Sequence, residues 1–425
     1  MSGSKKAAPN MNWGVIGNGQ SAALVSENGS IDWCCLPAFD SPSVFASLLD
    51  TDRGGHFAVR MTGRGVKVKQ EYLPHTNILR TVFSNKEDAF EVLDFMPRYK
   101  TKYETICPPD IIRYVRPLKG RPKAVFDYRP KLAYAQAETD VVVHDDYIKS
   151  TCHQPSYESV YLYSNRNLQS IADGKAVAIE SETYLWMSYN QQVKSPSVQL
   201  TRLQFERTKV YWMDWVDQTV DFARWNDTIE RSMLTLMLLA YQRTGAVLAA
   251  VTTSLPEDIG SVRNWDYRFC WLRDASMVVK IFTQLGHYRV ASRYLNFLLD
   301  VIPYKDDNIQ IMYGINGEKQ LKEQELDWLA GYENSAPVRI GNAAYKQKQH
   351  DIYGFALDTI YQRIADHRHS IDNIEGIWTV VRTMVRHVDE QWRKPDAGIW
   401  EIRGAKKHFV FSKVLCWVAV DRAIR

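Results

Sequence analysis

The chain has 425 residues, a formal net charge of +4, 45% hydrophobic and 24% charged residues, and 13 Trp and 23 Tyr. One hydrophobic core rarely serves more than roughly 250–300 residues, so two domains are expected. Lys and Arg are scattered rather than striped, which argues against a nucleic-acid partner, and no apolar run approaches the roughly 20 residues that cross a bilayer, which argues against a membrane one.

The stretch 1–10 is polar and reads as a disordered tail, with no apolar segment behind its lysines to make a signal peptide. Cys34, Cys35, Cys107, Cys152, Cys270 and Cys416 form no C-x-x-C pair. A reduced, soluble, cytoplasmic protein is expected, and the sequons at Asn28 and Asn226 are then chance matches. The aromatic content suits stacking on sugar faces and equally suits core filling.

Gly14-Val15-Ile16-Gly17-Asn18-Gly19 is spaced G-x-x-G-x-G, the wrong order for a dinucleotide loop. A hairpin fits better, with Asn18-Gly19 and Asn28-Gly29 as turns around Ala22-Ala23-Leu24-Val25. Short β-branched or aromatic runs follow at 58–61, 66–68, 78–83, 89–93, 124–128, 141–143 and 159–163, separated by Gly-, Pro- or polar-rich clusters. This strand-like texture lasts to about residue 207 and predicts an antiparallel β-sandwich over 11–214.

Beyond Trp212-Met213-Asp214-Trp215 the period becomes helical. Helices are predicted over 229–239, with Asp227 or Thr228 as N-cap, and over 271–285, 288–299, 343–364, 374–392 and 411–424. Long helices with no strands between them describe a helical barrel or bundle over 215–425. No internal repeat is present.

Three segments concentrate chemistry. In Arg263-Asn264-Trp265-Asp266-Tyr267-Arg268-Phe269-Cys270-Trp271-Leu272-Arg273-Asp274, paired charges stand among aromatics just before a helix. Arg273 and Asp274 offer a donor fork and an acceptor for sugar hydroxyls, and Tyr267 and Trp271 offer rings beside them. A buried Arg–Asp pair at a helix start explains the same residues. The loop 331–342 is either a site wall or simple turn chemistry. In Asp396-Ala397-Gly398-Ile399-Trp400-Glu401-Ile402-Arg403-Gly404, apolar neighbours would raise the pKa of Glu401 and suit it to general-acid work; the competing reading is a surface Glu paired with Arg403.

Taken together, these segments resemble glycoside hydrolase family 15, which includes glucoamylases, bacterial glucodextranases and some trehalases. The matching stretches are Ile16-Gly17-Asn18-Gly19 with Gly29-Ser30-Ile31-Asp32-Trp33, Thr253-Ser254-Leu255-Pro256-Glu257, and 263–274. Further on come Pro337-Val338-Arg339-Ile340-Gly341-Asn342-Ala343-Ala344, Asp351-Ile352-Tyr353-Gly354, Gly398-Ile399-Trp400-Glu401 and Ser412-Lys413. The resemblance implies an N-terminal β-sandwich ahead of an (α/α)6 barrel. It places Glu401 as general acid, Arg273 and Asp274 on hydroxyls of the terminal glucose, and Tyr267, Trp271 and Trp400 as aromatics of that pocket. The N-terminal loop around Asn18 would reach toward the barrel mouth.

The implied reaction is inverting exo-hydrolysis of α-glucosidic bonds, in which the two carboxyls sit about 6.5–9.5 Å apart. The family's general base lies downstream of any segment matched here, and only about half of the barrel helices are readable. Glu323, Glu325, Glu333 and Glu390 match no base motif, and Phe355 stands where many relatives have Glu. A fragment of a glucoamylase-type enzyme is therefore expected, with a trehalase, or a non-catalytic carbohydrate-binding or scaffold protein, as the alternatives; a partner chain that completes the barrel is a further possibility. No metal-ligand spacing appears and no cofactor is expected, although some trehalases of the family need ions.

Overall fold

The computed structural model describes residues 11–302, 309–365 and 374–425; the stretch 1–10, read as a disordered tail, lies outside them. The chain forms two compact units. The first comprises the described residues of Met1–Gly17 together with Ala22–Leu36 and Pro42–Lys209; the second comprises Asn18–Ser21, Pro37–Ser41 and Val210–Arg425.

The first unit is built on strands β1 (Trp13–Gly17), β2 (Ala22–Ser26), β3 (Ser30–Cys35), β4 (Ser43–Phe45), β5 (His56–Met61), β6 (Lys67–Tyr72), β7 (Leu79–Ser84) and β8 (Ala89–Phe95). There follow β9 (Tyr99–Lys100), β10 (Thr105–Ile106), β11 (Asp110–Lys119), β12 (Lys123–Arg129), β13 (Asp140–Val143), β14 (Ile148–Cys152), β15 (Glu158–Ser164), β16 (Ala176–Ala178) and β17 (Thr183–Tyr189), with helix α1 (Leu168–Ala172) between β15 and β16. One sheet runs β1-β2-β3-β5-β12-β16 with β4 on β3; the other runs β13-β14-β15-β17-β11-β8-β7-β6. Each predicted run overlaps a strand, with Val66 and Ile78 standing just ahead of β6 and β7. The first hairpin has the predicted turns: Gly17 pairs with Ala22 across 18–21, and Gly19 and Gly29 take the left-handed φ values of 79° and 81° that such turns demand.

The period-2 pattern of β11 explains how the sheets pack. Ile111 and Val115 enter the core shared by both sheets, whereas Ile112 and Tyr114 enter a second cluster with Trp186 and Phe205. On the inner side the guanidinium of Arg113 donates to both oxygens of Asp94, at 2.8 and 3.1 Å, and to the Gly29 carbonyl at 2.6 Å, as well as to that of Phe57.

Phe205 belongs to α2 (Val198–Val216), a 19-residue helix that corrects the strand-like reading up to residue 207. Its Val, Thr and aromatic residues favour strands locally, but packing decides.

The second unit carries α3 (Asn226–Leu238), α4 (Leu272–Gln284), α5 (Tyr288–Val301), α6 (Asp351–Ala365), α7 (Ile374–Gln391) and α8 (Val410–Ile424). The short strand pairs β18 (Thr253–Pro256) with β19 (Asn264–Asp266), β20 (Cys270–Trp271) with β21 (Met312–Tyr313), and β22 (Gln324–Glu325) with β23 (Arg339–Ile340) tie its loops together. The cap of α3 differs from expectation: Trp225 stands there at φ 68° with no side-chain hydrogen bond, and Asp227 lies in the first turn.

The stretch 343–364 is also not one helix. A 3-10 turn over Ala343–Lys346 gives way to extended backbone at Gln347, and α6 starts only at Asp351. On α6, Gly354 allows close packing of α8, since a Cβ there would stand 2.4 Å from the Leu415 carbonyl. Among the described residues no helix is long and apolar enough to cross a membrane.

Candidate active site

Glu401 sits in a turn closed by antiparallel hydrogen bonds between Asp396 and Lys407, of 2.9 and 3.0 Å. Gly398 bends this turn at φ 67°, and its missing side chain leaves room for Phe409, whose ring would lie 2.7 Å from a Cβ. Glu401 itself is left-handed at φ 51°, an unfavourable conformation for a non-glycine residue and one that clusters at functional sites.

The turn is stapled to the extended segment before α6. Ala397 N donates to Lys348 O at 3.0 Å, His350 N to Asp396 Oδ2 at 2.8 Å, and Gln347 Nε2 to Glu401 O at 3.1 Å. The strained carboxylate-bearing residue is therefore held from both sides.

Its side chain meets the start of α4. Trp271, the last residue of β20, donates its indole N–H to Glu401 Oε1 at 2.7 Å, and Gln349 Nε2 reaches the same oxygen at 3.4 Å. Arg273 Nη2 lies 3.9 Å away from it. Arg273 also donates through Nη1 to Gln349 Oε1 at 2.8 Å and faces Asp351 Oδ2 at 3.4 Å and Asp274 Oδ2 at 3.3 Å. One guanidinium thus serves three carboxylates.

Burial raises the Glu401 pKa, which the Trp271 hydrogen bond, the Arg273 charge and the Gln349 hydrogen bond partly offset. Burial likewise raises Asp351, and pushes Tyr267, whose ring centroid is 5.6 Å from that of Trp271, up to about 12. A half-buried carboxyl of raised pKa, with a fixed donor and a nearby cation, can carry a proton to a leaving oxygen.

Of the residues singled out in the sequence, Trp271, Arg273, Asp274, Tyr267 and Glu401 come together. Trp400, next to Glu401 in the same turn, is 82% exposed. Both readings of Arg273 and Asp274 hold in part, since Arg273 is buried and ion-paired while the side chain of Asp274 stays 42% exposed. The pairing of Glu401 with Arg403 is absent. Arg403 instead binds Glu323 at 2.7 Å and lies 3.7 Å from the Trp265 ring centroid.

The rest of the 263–274 cluster is scaffold. Asp266 accepts from Arg268 at 2.9 and 2.7 Å and from Gly341 N at 3.1 Å, and Asn264 donates to Ser335 O at 2.8 Å. The loop 331–342 is held by these bonds and by Thr253 and Ser254, both of which donate to Arg339 O. Sequence reasoning missed Gln347, Gln349 and His350, which it placed inside a helix. Asp351 and Asp396 stand in the motif segments 351–354 and 396–404, and nothing local in either segment signals their roles.

Comparison with known proteins places the chain in a family. The model of glycosyl hydrolases family 15 matches residues 223–425, and that of the trehalase-like N-terminal region matches residues 2–164. A trehalase of Mycolicibacterium smegmatis is 34% identical over 444 residues, covering 97% of this chain and 65% of that protein. A trehalase of Thermoplasma acidophilum is 34% identical over 94% of this chain and 68% of its own length. Trehalase 1 of Sulfolobus acidocaldarius is 35% identical over 96% and 70%. The chain spans about two thirds of the length of these relatives. Match and geometry together lead to one conclusion: this chain belongs to glycosyl hydrolase family 15.

Proposed function

We propose that this chain carries the acid-bearing part of a trehalase, with Glu401 as general acid. The observation that carries the reading is the half-buried Glu401 carboxyl, hydrogen-bonded by Trp271 at 2.7 Å beside Arg273. The choice of trehalose over a terminal glucose of a longer chain, the glucoamylase-type alternative, is supported by the relatives, which bear the name trehalase, and by the trehalase-like N-terminal match.

In this reading Arg273 and Asp274 hold hydroxyls of one glucose, Tyr267 and Trp271 line its ring, and exposed Trp400 meets the departing sugar. Glu401 gives its proton to the bridging oxygen as the C1–O bond breaks. Water attacks C1 from the opposite face and loses a proton to a second carboxylate, giving two glucose molecules with inversion at the attacked carbon. Glu323 and Glu325 are held by Arg403 and Arg339 at 2.7 and 2.9 Å, and Glu390 lies exposed on α7, so none of these three is assigned as the base.

The helices of the second unit are read as about half of an (α/α)6 barrel. The support is an open apolar groove of about 760 Å³ between α7 and α8, bordered by Trp378 and by Trp417, which is 65% exposed. Exposed apolar area of this kind usually awaits a partner. If so, the 425-residue chain binds the dye ANS strongly, and a form extended to the relatives' length does not; equal binding by both forms refutes the half-barrel reading.

The activity test is glucose release by the full-length protein from trehalose, maltose and isomaltose compared side by side. Trehalose is expected to be the best substrate; preference for maltooligosaccharides restores the glucoamylase-type reading, and binding without release means a non-catalytic protein. Glu401→Gln should lower kcat by about 10²–10⁴. Retained turnover removes Glu401 from the acid role.

A further inference from the structure

The first unit contains a cavity of about 690 Å³ that the catalytic reading does not use. Its floor is aromatic: Tyr163 and Tyr184 stand on neighbouring strands β15 and β17, and the half-buried ring of Tyr147, from the β13–β14 turn, lies 5.8 Å from that of Tyr163.

One wall is the segment after β17, and the three tyrosines pin it. Val193 N donates to the Tyr163 hydroxyl at 3.1 Å, the Tyr184 hydroxyl donates to Pro196 O at 3.0 Å, and Gln192 Nε2 donates to the Tyr147 hydroxyl at 3.3 Å. Two non-glycine residues of this wall, Asn190 at φ 50° and Ser195 at φ 51°, are held in the left-handed region. The cavity is thus shaped by fixed bonds before any ligand arrives, which lowers the ordering cost of binding.

Its remaining polar groups carry both signs. Arg166 is anchored by Nε to Thr183 at 2.7 Å and by Nη2 to Ser181 O at 2.8 Å, leaving Nη1 uncommitted among the described residues. The exposed turn residues Asp145 and Asp146 line the same cavity. Asp146 and Tyr184 line this cavity together, and the charge of Asp146 adds to the burial that raises the pKa of the Tyr184 hydroxyl.

An organic cation would meet Arg166, and an anion would meet the two carboxylates. A neutral polyhydroxylated ring suits all the groups present: hydroxyls donate to carboxylates and accept from guanidinium, while C–H faces lie on tyrosines. We propose that this cavity is a saccharide-binding site of the β-sheet unit, sized for a mono- or disaccharide and separate from Glu401.

The test is hydrogen exchange of the whole chain, read peptide by peptide, with glucose, maltose and trehalose as probes, and with spermidine and sulfate as charged controls. A sugar should slow exchange in the segments 143–147 and 190–197. Tyr147→Ala and Asp146→Asn, both on an accessible turn and each checked for an unchanged melting temperature, should weaken that protection about tenfold. Sugar protection confined to 397–404 and the start of α4 would leave the catalytic reading intact and overturn this one. So would protection at 143–147 and 190–197 by spermidine or sulfate alone. Full protection in both variants removes Tyr147 and Asp146 as ligands and also overturns the proposal.

Discussion

Arg113 of the sheet unit and Arg273 of the helical unit are both buried, and the two are used differently. In the sheet unit, Arg113 and Asp94 are both fully buried, and the guanidinium spends its donors on the two carboxylate oxygens and two backbone carbonyls. In the helical unit, Arg273 has one short hydrogen bond, to Gln349, and three longer approaches of 3.3, 3.4 and 3.9 Å to Asp274, Asp351 and Glu401. Buried Oδ1 of Asp351 and Oδ2 of Asp274 have no hydrogen-bond partner. A satisfied buried charge is architecture; an incompletely satisfied one keeps bonding capacity for a ligand.

Replacing each arginine by methionine separates the two uses. Arg113→Met leaves the Asp94 carboxylate buried without its cation, and should destabilise the sheet unit by about 3–5 kcal/mol in denaturant melts. Turnover of the folded fraction should not change. Arg273→Met should cost less stability, because two of its three carboxylate neighbours, Asp274 and Glu401, keep solvent contact at 42% and 22% exposed, whereas Asp94 has none. Its kcat/KM should fall roughly tenfold to a hundredfold, the value of one or two lost hydrogen bonds to a charged group. If the two variants behave alike in both measurements, the distinction fails.

The sheet unit was largely legible in the sequence because alternation and turn residues are local signals. The run 124–128 alternates buried Ala124, Phe126 and Tyr128 with half-buried Val125 and Asp127 in β12, and Asn18-Gly19 and Asn28-Gly29 mark their own turns. The exception is α2, whose β-branched and aromatic residues mimic a strand and whose helical state depends on packing such as that of Phe205. At the site, Arg273, Asp274 and Trp271 were legible because one helix start presents them together. Gln347 and Gln349 were not, because the break before α6 is made by bonds to a turn some fifty residues away, such as that from Gln347 to Glu401 O.

The raised pKa of Glu401 shows the same limit. Sequence reasoning expected it from Trp400 and Ile402, yet these are 82% and 38% exposed. Burial in the folded chain raises it, and Trp271, Arg273 and Gln349, which are distant in the chain, partly offset that rise.

Trp271→Phe tests that account with the smallest change. The indole N–H favours the charged form of Glu401, so removing it should raise the folded-state pKa further. A general acid works only while protonated, so the alkaline limb of kcat/KM should move to higher pH, while the limb set by the base should stay in place. At low pH, where Glu401 is protonated in both proteins, the remaining loss of kcat measures what the indole contributes to positioning. An alkaline limb that moves to lower pH would mean that Trp271 acts chiefly by keeping water from the carboxyl, and an unmoved limb would mean that another group sets it.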